Sequence, residues 1–198
     1  MNFDADKEKT LKRMLLNDKS DKGSVDKPIQ KLVNLINAKE DYYTLSSCSG
    51  RIVLLYIPDT GKKREAEFIV RTHDLIKSSK VKSVIKELLN YVNYNNDGSI
   101  WFKQDPPIVH IGSRTLKQAS DLLRNARTIG FKRNGLFEVE KRFLMELVST
   151  ERTDAIIAQD GKLLVPEEYI KTLIEVGNKK LEQSWTKIKK LEAEIKKL

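Results

Sequence analysis

The stretch Tyr42-Tyr43-Thr44-Leu45-Ser46-Ser47-Cys48-Ser49-Gly50-Arg51-Ile52-Val53-Leu54-Leu55-Tyr56-Ile57 organises the rest of the chain. β-Branched and aromatic residues on either side of the serines predict two strands, 42–45 and 52–57. Between them, Ser46 to Arg51 predicts a tight connection that gathers small hydroxyls, the one cysteine, a glycine and a guanidinium. A plain hairpin needs only Gly or Asn at its turn. Three serines and an arginine instead suit a loop that brings backbone N–H groups, hydroxyls and a fixed positive charge to a polar or anionic ligand. Gly50 permits a positive φ and a close backbone approach. Arg51 can grip a carboxylate or phosphate bidentately, which lysine cannot. Ser46, Ser47, Ser49, Gly50 and Arg51 are therefore the candidate ligand-binding residues, with Cys48 as packing or pocket wall.

Outward from this stretch, helices and strands alternate irregularly. N-terminal to it, residues 7–17 place Leu11, Met14 and Leu15 on one helical face, and residues 18–24 are polar and turn-rich. Asp26 and Pro28 open a helix that buries Ile29, Leu32, Val33 and Ile36. C-terminal to it, a strand over 66–70 delivers His73, and a helix follows over 81–92. Strands over 100–103 and 108–111 are separated by Pro106 and Pro107, which disfavour a continuous ladder there. A helix over 116–129 stops at Gly130, a suitable C′ residue. Strands over 131–136, 142–148 and 155–158 lead to a hairpin turn at 159–162. Pro166 and the acidic Glu167 and Glu168 open the last helix, whose apolar positions recur nearly to the end. Its tail is read as projecting or as packing on a partner. The expectation is an α+β domain over residues 1–198, built around a mixed β-sheet flanked by helices, with 166–198 as a C-terminal helical arm.

At 198 residues the chain can bury a sizeable core, and 39% hydrophobic against 33% charged residues excludes a disordered chain. A formal charge of +9 favours a polyanionic partner over an acidic surface, although a lysine-rich solvated surface would give the same number. One cysteine excludes an intramolecular disulfide, and no apolar run is long enough to span a bilayer. With no apolar signal region at Met1 to Lys7, a cytoplasmic protein without a membrane partner is expected. Cys48, His73 and His110 lack the close spacing of a structural zinc site, so no metal is expected.

Several segments together resemble the wybutosine-synthesis methyltransferase family that acts third in the pathway on phenylalanine tRNA. They are Lys22-Gly23-Ser24-Val25-Asp26, residues 43–52, Thr72-His73 and Pro107-Ile108-Val109-His110-Ile111. Gly130-Phe131-Lys132-Arg133-Asn134-Gly135, Val148-Ser149-Thr150 and residues 161–170 complete the set. The resemblance covers nearly the whole chain. Two departures are local: Asn134 stands where a serine would be expected, and Arg152-Thr153-Asp154 replaces a more apolar stretch bearing a proline.

The resemblance implies transfer of a methyl group from S-adenosylmethionine to the N4 ring nitrogen of a 4-demethylwyosine-type tricyclic base, 3′ of the anticodon in tRNA(Phe). It assigns the Ser46-to-Arg51 loop to the cofactor. The residues themselves do not reveal that cofactor, because no glycine-rich nucleotide loop follows a strand. Asp26, His73 and His110 are the candidate proton acceptors, with Asp26 read first as a helix cap and second as a base. Lys22, Arg114, Lys132 and Arg133 are the candidate RNA contacts, within a stretch from Arg114 to Arg142 holding eight basic and three acidic residues. Trp101 and Phe102 are candidates to stack a base or to fill the core. Two other classes remain open from sequence: a non-catalytic RNA-binding protein, and a structural protein that associates through its C-terminal arm.

Overall fold

The computed structural model describes residues 2–16, 25–94 and 97–198. These fall into two compact units, Met1–Ser49 with Pro106–Thr150 and Ser184–Leu198, and Gly50–Asp105 with Glu151–Gln183. The chain passes from one to the other at 49/50, 105/106, 150/151 and 183/184, so no single linker marks a boundary in the sequence.

The first unit holds a four-stranded sheet in the order β1 (Tyr42–Cys48), β5 (Ile108–Ser113), β7 (Phe143–Val148), β6 (Arg133–Glu138). One face is covered by α2 (Lys27–Asn37), α4 (Leu116–Thr128) and the last turns of α5 (Glu167–Lys197). Their apolar stripes meet the strands in one cluster, in which Ile29, Leu32, Ile36, Val109, Ile111, Met145, Ile188, Leu191 and Ile195 are all fully buried. At about 1.5–3 kcal/mol for each such side chain, this cluster is the main stabilising element of the unit. It also settles the tail of the last helix, which packs into the core of its own unit.

Local signals fix α4 at both ends. Thr115 and Gln118 form a reciprocal capping box at its start. At its end Phe131 N–H donates to Ala126 O (3.0 Å) and Gly130 N–H to Arg127 O (3.3 Å), with Gly130 at φ 111°. That is a Schellman motif, and it drives the buried Phe131 into the core. Asn134 then donates to the carbonyls of Leu123 (2.9 Å) and Phe131 (2.7 Å), a role a shorter serine would fill less completely. The N-terminal helix α1 (Phe3–Leu16) is fastened to the sheet by Tyr43, which donates to Asp6 and takes the Phe3 ring edge-on. Burial and the Asp6 carboxylate push the Tyr43 hydroxyl well above the usual phenol range.

The second unit holds a five-stranded sheet in the order β3 (Glu67–Thr72), β2 (Arg51–Ile57), β4 (Ser99–Asp105), β8 (Thr153–Gln159), β9 (Lys162–Leu163). Helix α3 (Ser78–Tyr94) and the first turns of α5 line one face. Val84, Ile85, Leu88, Ile170, Leu173 and Ile174 are buried there with Ile52, Leu54, Ile100 and Phe102. Gly177 of α5 comes so close that a Cβ would stand 2.9 Å from the Phe102 ring. Asn178 adds a pair of 2.9 Å hydrogen bonds to the backbone of Ile76, tying the segment after β3 to the helix.

The expected α+β class and long C-terminal helix are present. The strands, expected in one mixed sheet, form two sheets in which every pairing among the described residues is antiparallel. The helices do connect strands that run the same way, β3 to β4 through α3 and β5 to β6 through α4. A third strand lies between each such pair, β2 in one sheet and β7 in the other. Both units are thus built on a split β-α-β, whose parallel strands never touch.

Candidate functional site

In each sheet, residues that border the crossings between units are partners. Cys48 pairs with Ile108, and Ile108 with Val148, in the first unit. Arg51 pairs with Asp105, and Gln104 with Thr153, in the second. The Ser46-to-Arg51 stretch runs from the end of β1 into the start of β2, across the first of these crossings. It is less of a loop than its composition predicts: Ser46 to Cys48 belong to β1, Arg51 begins β2, and only Ser49 and Gly50 lie between. The two strands join different sheets rather than forming a hairpin. Ladder partners on β5 and β4 hold the serines and arginine extended, which local composition does not reveal.

In the first unit, Ser46, His110 and Glu146 are register partners on three adjacent strands. Ser46 Oγ lies 2.8 Å from His110 Nδ1, and His110 Nε2 lies 2.8 Å from Glu146 Oε2. An ionised carboxylate only accepts, so Nε2 carries a proton. In the neutral ring Nδ1 then holds the lone pair and accepts from the Ser46 hydroxyl. The edge of the Phe137 ring meets the imidazole at 5.2 Å between centroids. Ser46 is exposed, and His110 is half-buried. The row is a solvent-accessible chain of two hydrogen bonds through an imidazole.

Asp26 holds the N-cap position of α2 expected of it, though not through its side chain. Its backbone carbonyl caps α2, accepting from Ile29 N–H (3.0 Å) and Gln30 N–H (3.1 Å), but its side chain makes no cap bond. The carboxylate instead accepts from the N–H (2.8 Å) and hydroxyl (3.1 Å) of the fully buried Ser49. Asp26 therefore anchors the end of the serine stretch from 23 residues away. Ser47 and Cys48 are half-buried beside it.

In the second unit, Gly50 adopts φ 91°, a conformation that a side chain would strain. Its carbonyl accepts from His73 Nδ1 at 2.9 Å, which places the proton of the neutral ring on Nδ1 and the lone pair on Nε2. Arg51 donates through Nε to Asp105 (2.9 Å), and its guanidinium carbon lies 5.3 Å from the Phe68 ring centre. Gln104, fully buried, donates to the Asp105 carbonyl, while its Oε1 has no hydrogen-bond partner among the described residues. Such an orphaned acceptor costs about 1–3 kcal/mol unless a ligand donor relieves it.

The remaining candidates separate. Lys22 lies outside the described residues. Arg114 is engaged by the fold: Nη1 and Nη2 bond Asp4 (3.1 and 2.7 Å) and Nε bonds Asp41 (2.6 Å). Lys132 and Arg133 are exposed at the start of the edge strand β6. Phe102 is core, whereas Trp101 lies on the opposite face of β4. Glu146 and Gln104 were not singled out from sequence. Both carry a signal in hindsight, as polar residues inside the apolar alternations Phe143-Leu144-Met145-Glu146-Leu147-Val148 and Ile100-Trp101-Phe102-Lys103-Gln104.

The family "Methyltransferase TYW3" matches residues 5–197. A Thermococcus sibiricus protein named tRNA(Phe) 7-((3-amino-3-carboxypropyl)-4-demethylwyosine(37)-N(4))-methyltransferase is 39% identical over all of this chain and 96% of its own. A Thermococcus kodakarensis protein of the same name, numbered 1, is 36% identical over the same shares. The solved structure of the PH1069 protein from Pyrococcus horikoshii superimposes with a TM-score of 0.85 at 33% identity, covering 98% of this chain and 96% of that one. No helix among the described residues is long and apolar enough to cross a membrane. The chain belongs to the TYW3 methyltransferase family.

Proposed function

We propose that the protein transfers a methyl group from S-adenosylmethionine to the N4 ring nitrogen of a 4-demethylwyosine-type base, 3′ of the anticodon of tRNA(Phe), in the cytoplasm. The observation that carries the reading is the position of Ser46, which belongs both to the hydroxyl-rich stretch and to the relay through His110 and Glu146. The strand that carries candidate ligand-binding groups thus also reaches the proton acceptor on its neighbour β5.

The residues fit such a donor. Arg51 offers its terminal guanidinium nitrogens to a carboxylate, Ser47 offers a hydroxyl, and Gly50 offers close backbone approach, while the buried Ser49 hydroxyl is held by Asp26. S-adenosylmethionine, when bound, supplies an electrophilic methyl whose bond to sulfur breaks with the electron pair remaining on sulfur.

His110 takes the proton that N4 must lose as the nitrogen–carbon bond forms, directly or through the Ser46 hydroxyl. Glu146 holds the ring in the tautomer that makes this possible and stabilises the imidazolium. Asp26 and His73 act on the backbone around the site, locking Ser49 and Gly50 so that the reacting atoms are held in line.

Incubating the protein with labelled methyl donor and tRNA from cells blocked at this step, followed by nucleoside analysis, tests the proposal. Label in an N4-methylated wyosine derivative is the expected result. Tight tRNA binding with no transferred label would overturn it in favour of a non-catalytic RNA-binding protein.

A further inference from the structure

One face of the five-stranded sheet lies opposite the unit's helices, and of the residues assigned to the donor only Arg51 stands on it, at one end. On β4, Ile100, Phe102 and Gln104 point to the helix side, so Trp101, Lys103 and Asp105 point to the other. Ladder partners place Leu55 and Ile156 beside Trp101, Phe68 beside Leu55, and Arg71 beside Val53 on this same face. Phe68 is 45% exposed and Ile156 39% exposed.

Cations are interleaved with the aromatic rings. The guanidinium carbons of Arg71 and Arg51 lie 5.1 and 5.3 Å from the Phe68 ring centre, and Lys103 Nζ lies 5.7 Å from that of Trp101. The acidic residues of the face are already matched: Asp105 pairs with Arg51, and Asp154 with Lys103 and Arg152. With Arg71 and the Arg51–Asp105 pair set aside, Lys103 and Arg152 against Asp154 still leave the face positive. Every ring of this face has a cation beside it, an arrangement that meets base faces and phosphates together.

We infer that this face is a stacking platform for unpaired nucleotides of an RNA, with Phe68 and Trp101 receiving base faces while Arg71 and its neighbours meet phosphates. Open antiparallel sheets suit this task, since alternate side chains project together and each base has a π-face to offer. The inference rests on the tRNA reading above only for the identity of the RNA.

The test measures fluorescence anisotropy of a labelled, synthetic phenylalanine anticodon stem-loop against the full chain, with donor binding followed in parallel by calorimetry. Phe68→Ala and Trp101→Leu should each weaken RNA binding about 5- to 100-fold and leave donor binding unchanged. Arg71→Gln should flatten the salt dependence by about one unit of log–log slope. In a Trp185→Phe background, Trp101 emission should be quenched when RNA is added.

Unchanged RNA affinity in both aromatic variants, with native circular dichroism, would overturn the inference. So would a wild-type dimer that Phe68→Ala dissociates without loss of RNA affinity, which would give the face to a second copy. Affinities that fall as expected while the wild type transfers no methyl would sink the methyltransferase reading and leave this one standing. Methyl transfer with unchanged affinities would do the reverse.

Discussion

The two sheets share one construction and carry different chemistry. Each is an antiparallel sheet built on a split β-α-β whose connecting helix packs on one face. In the four-stranded sheet, register partners Ser46, His110 and Glu146 are polar, short and mutually hydrogen-bonded. In the five-stranded sheet, the corresponding partners Phe68, Leu55, Trp101 and Ile156 are apolar and flanked by cations. A row of cross-strand neighbours about 4.5–5.5 Å apart is the unit in which a sheet composes function. We read the polar row as suited to moving a proton and the aromatic row as suited to receiving flat surfaces.

Substitutions should separate the two rows. The largest effect is expected for His110→Gln, which removes the proton acceptor and should lower the rate of methyl transfer by about 10²–10⁴ while RNA affinity holds. A full loss of RNA affinity in that variant would erase the distinction between the sheets. Next comes Asp26→Ala, which strands the buried Ser49 N–H and hydroxyl and should destabilise the protein by roughly 1.5–3 kcal/mol in urea titration. An unchanged midpoint would mean that the bond from Asp26 does not anchor the serine stretch.

Glu146→Ala leaves His110 in place without its partner. It should cost roughly tenfold in turnover, a fraction of the general-base contribution, with KM for tRNA unchanged. A rise in KM with turnover intact would assign Glu146 to RNA binding instead.

The smallest effect concerns the other sheet. Burial raises the Asp154 carboxyl, but bonds from Lys103 and Arg152 outweigh it and hold the group below the usual carboxylate range. A depressed folded value adds stability that is present above about pH 4 and is lost as pH falls through that lower value. The difference in stability between the wild type and Asp154→Asn should therefore shrink toward zero on acidification. A gap that persisted at low pH would show that the ion pairs are not its source.

Periodicity and end signals made the helices legible from sequence. Pro28 with Ile29, Leu32, Val33 and Ile36 places α2, and Gly130 ends α4 through backbone geometry that only its neighbours determine. Sheet order was not legible, because nothing local says that β2 inserts between β3 and β4. The same limit explains Asp26, whose position before a helix suggests a cap equally well whether its carboxylate turns inward or reaches Ser49. His110 was visible as a candidate, but its role came from Glu146, 36 residues further on and paired only through the ladder. Gln104 stayed hidden because one polar residue at the end of an apolar alternation is common, and only its missing partner singles it out.

The account stands or falls on the Ser46-to-Arg51 stretch as the seat of the methyl donor. Calorimetric titration of S-adenosylmethionine into the wild type, Arg51→Ala and Phe68→Ala tests it most directly. The expected result is binding to the wild type and to Phe68→Ala, with affinity lost or sharply reduced in Arg51→Ala. Equal affinity in all three proteins would contradict it.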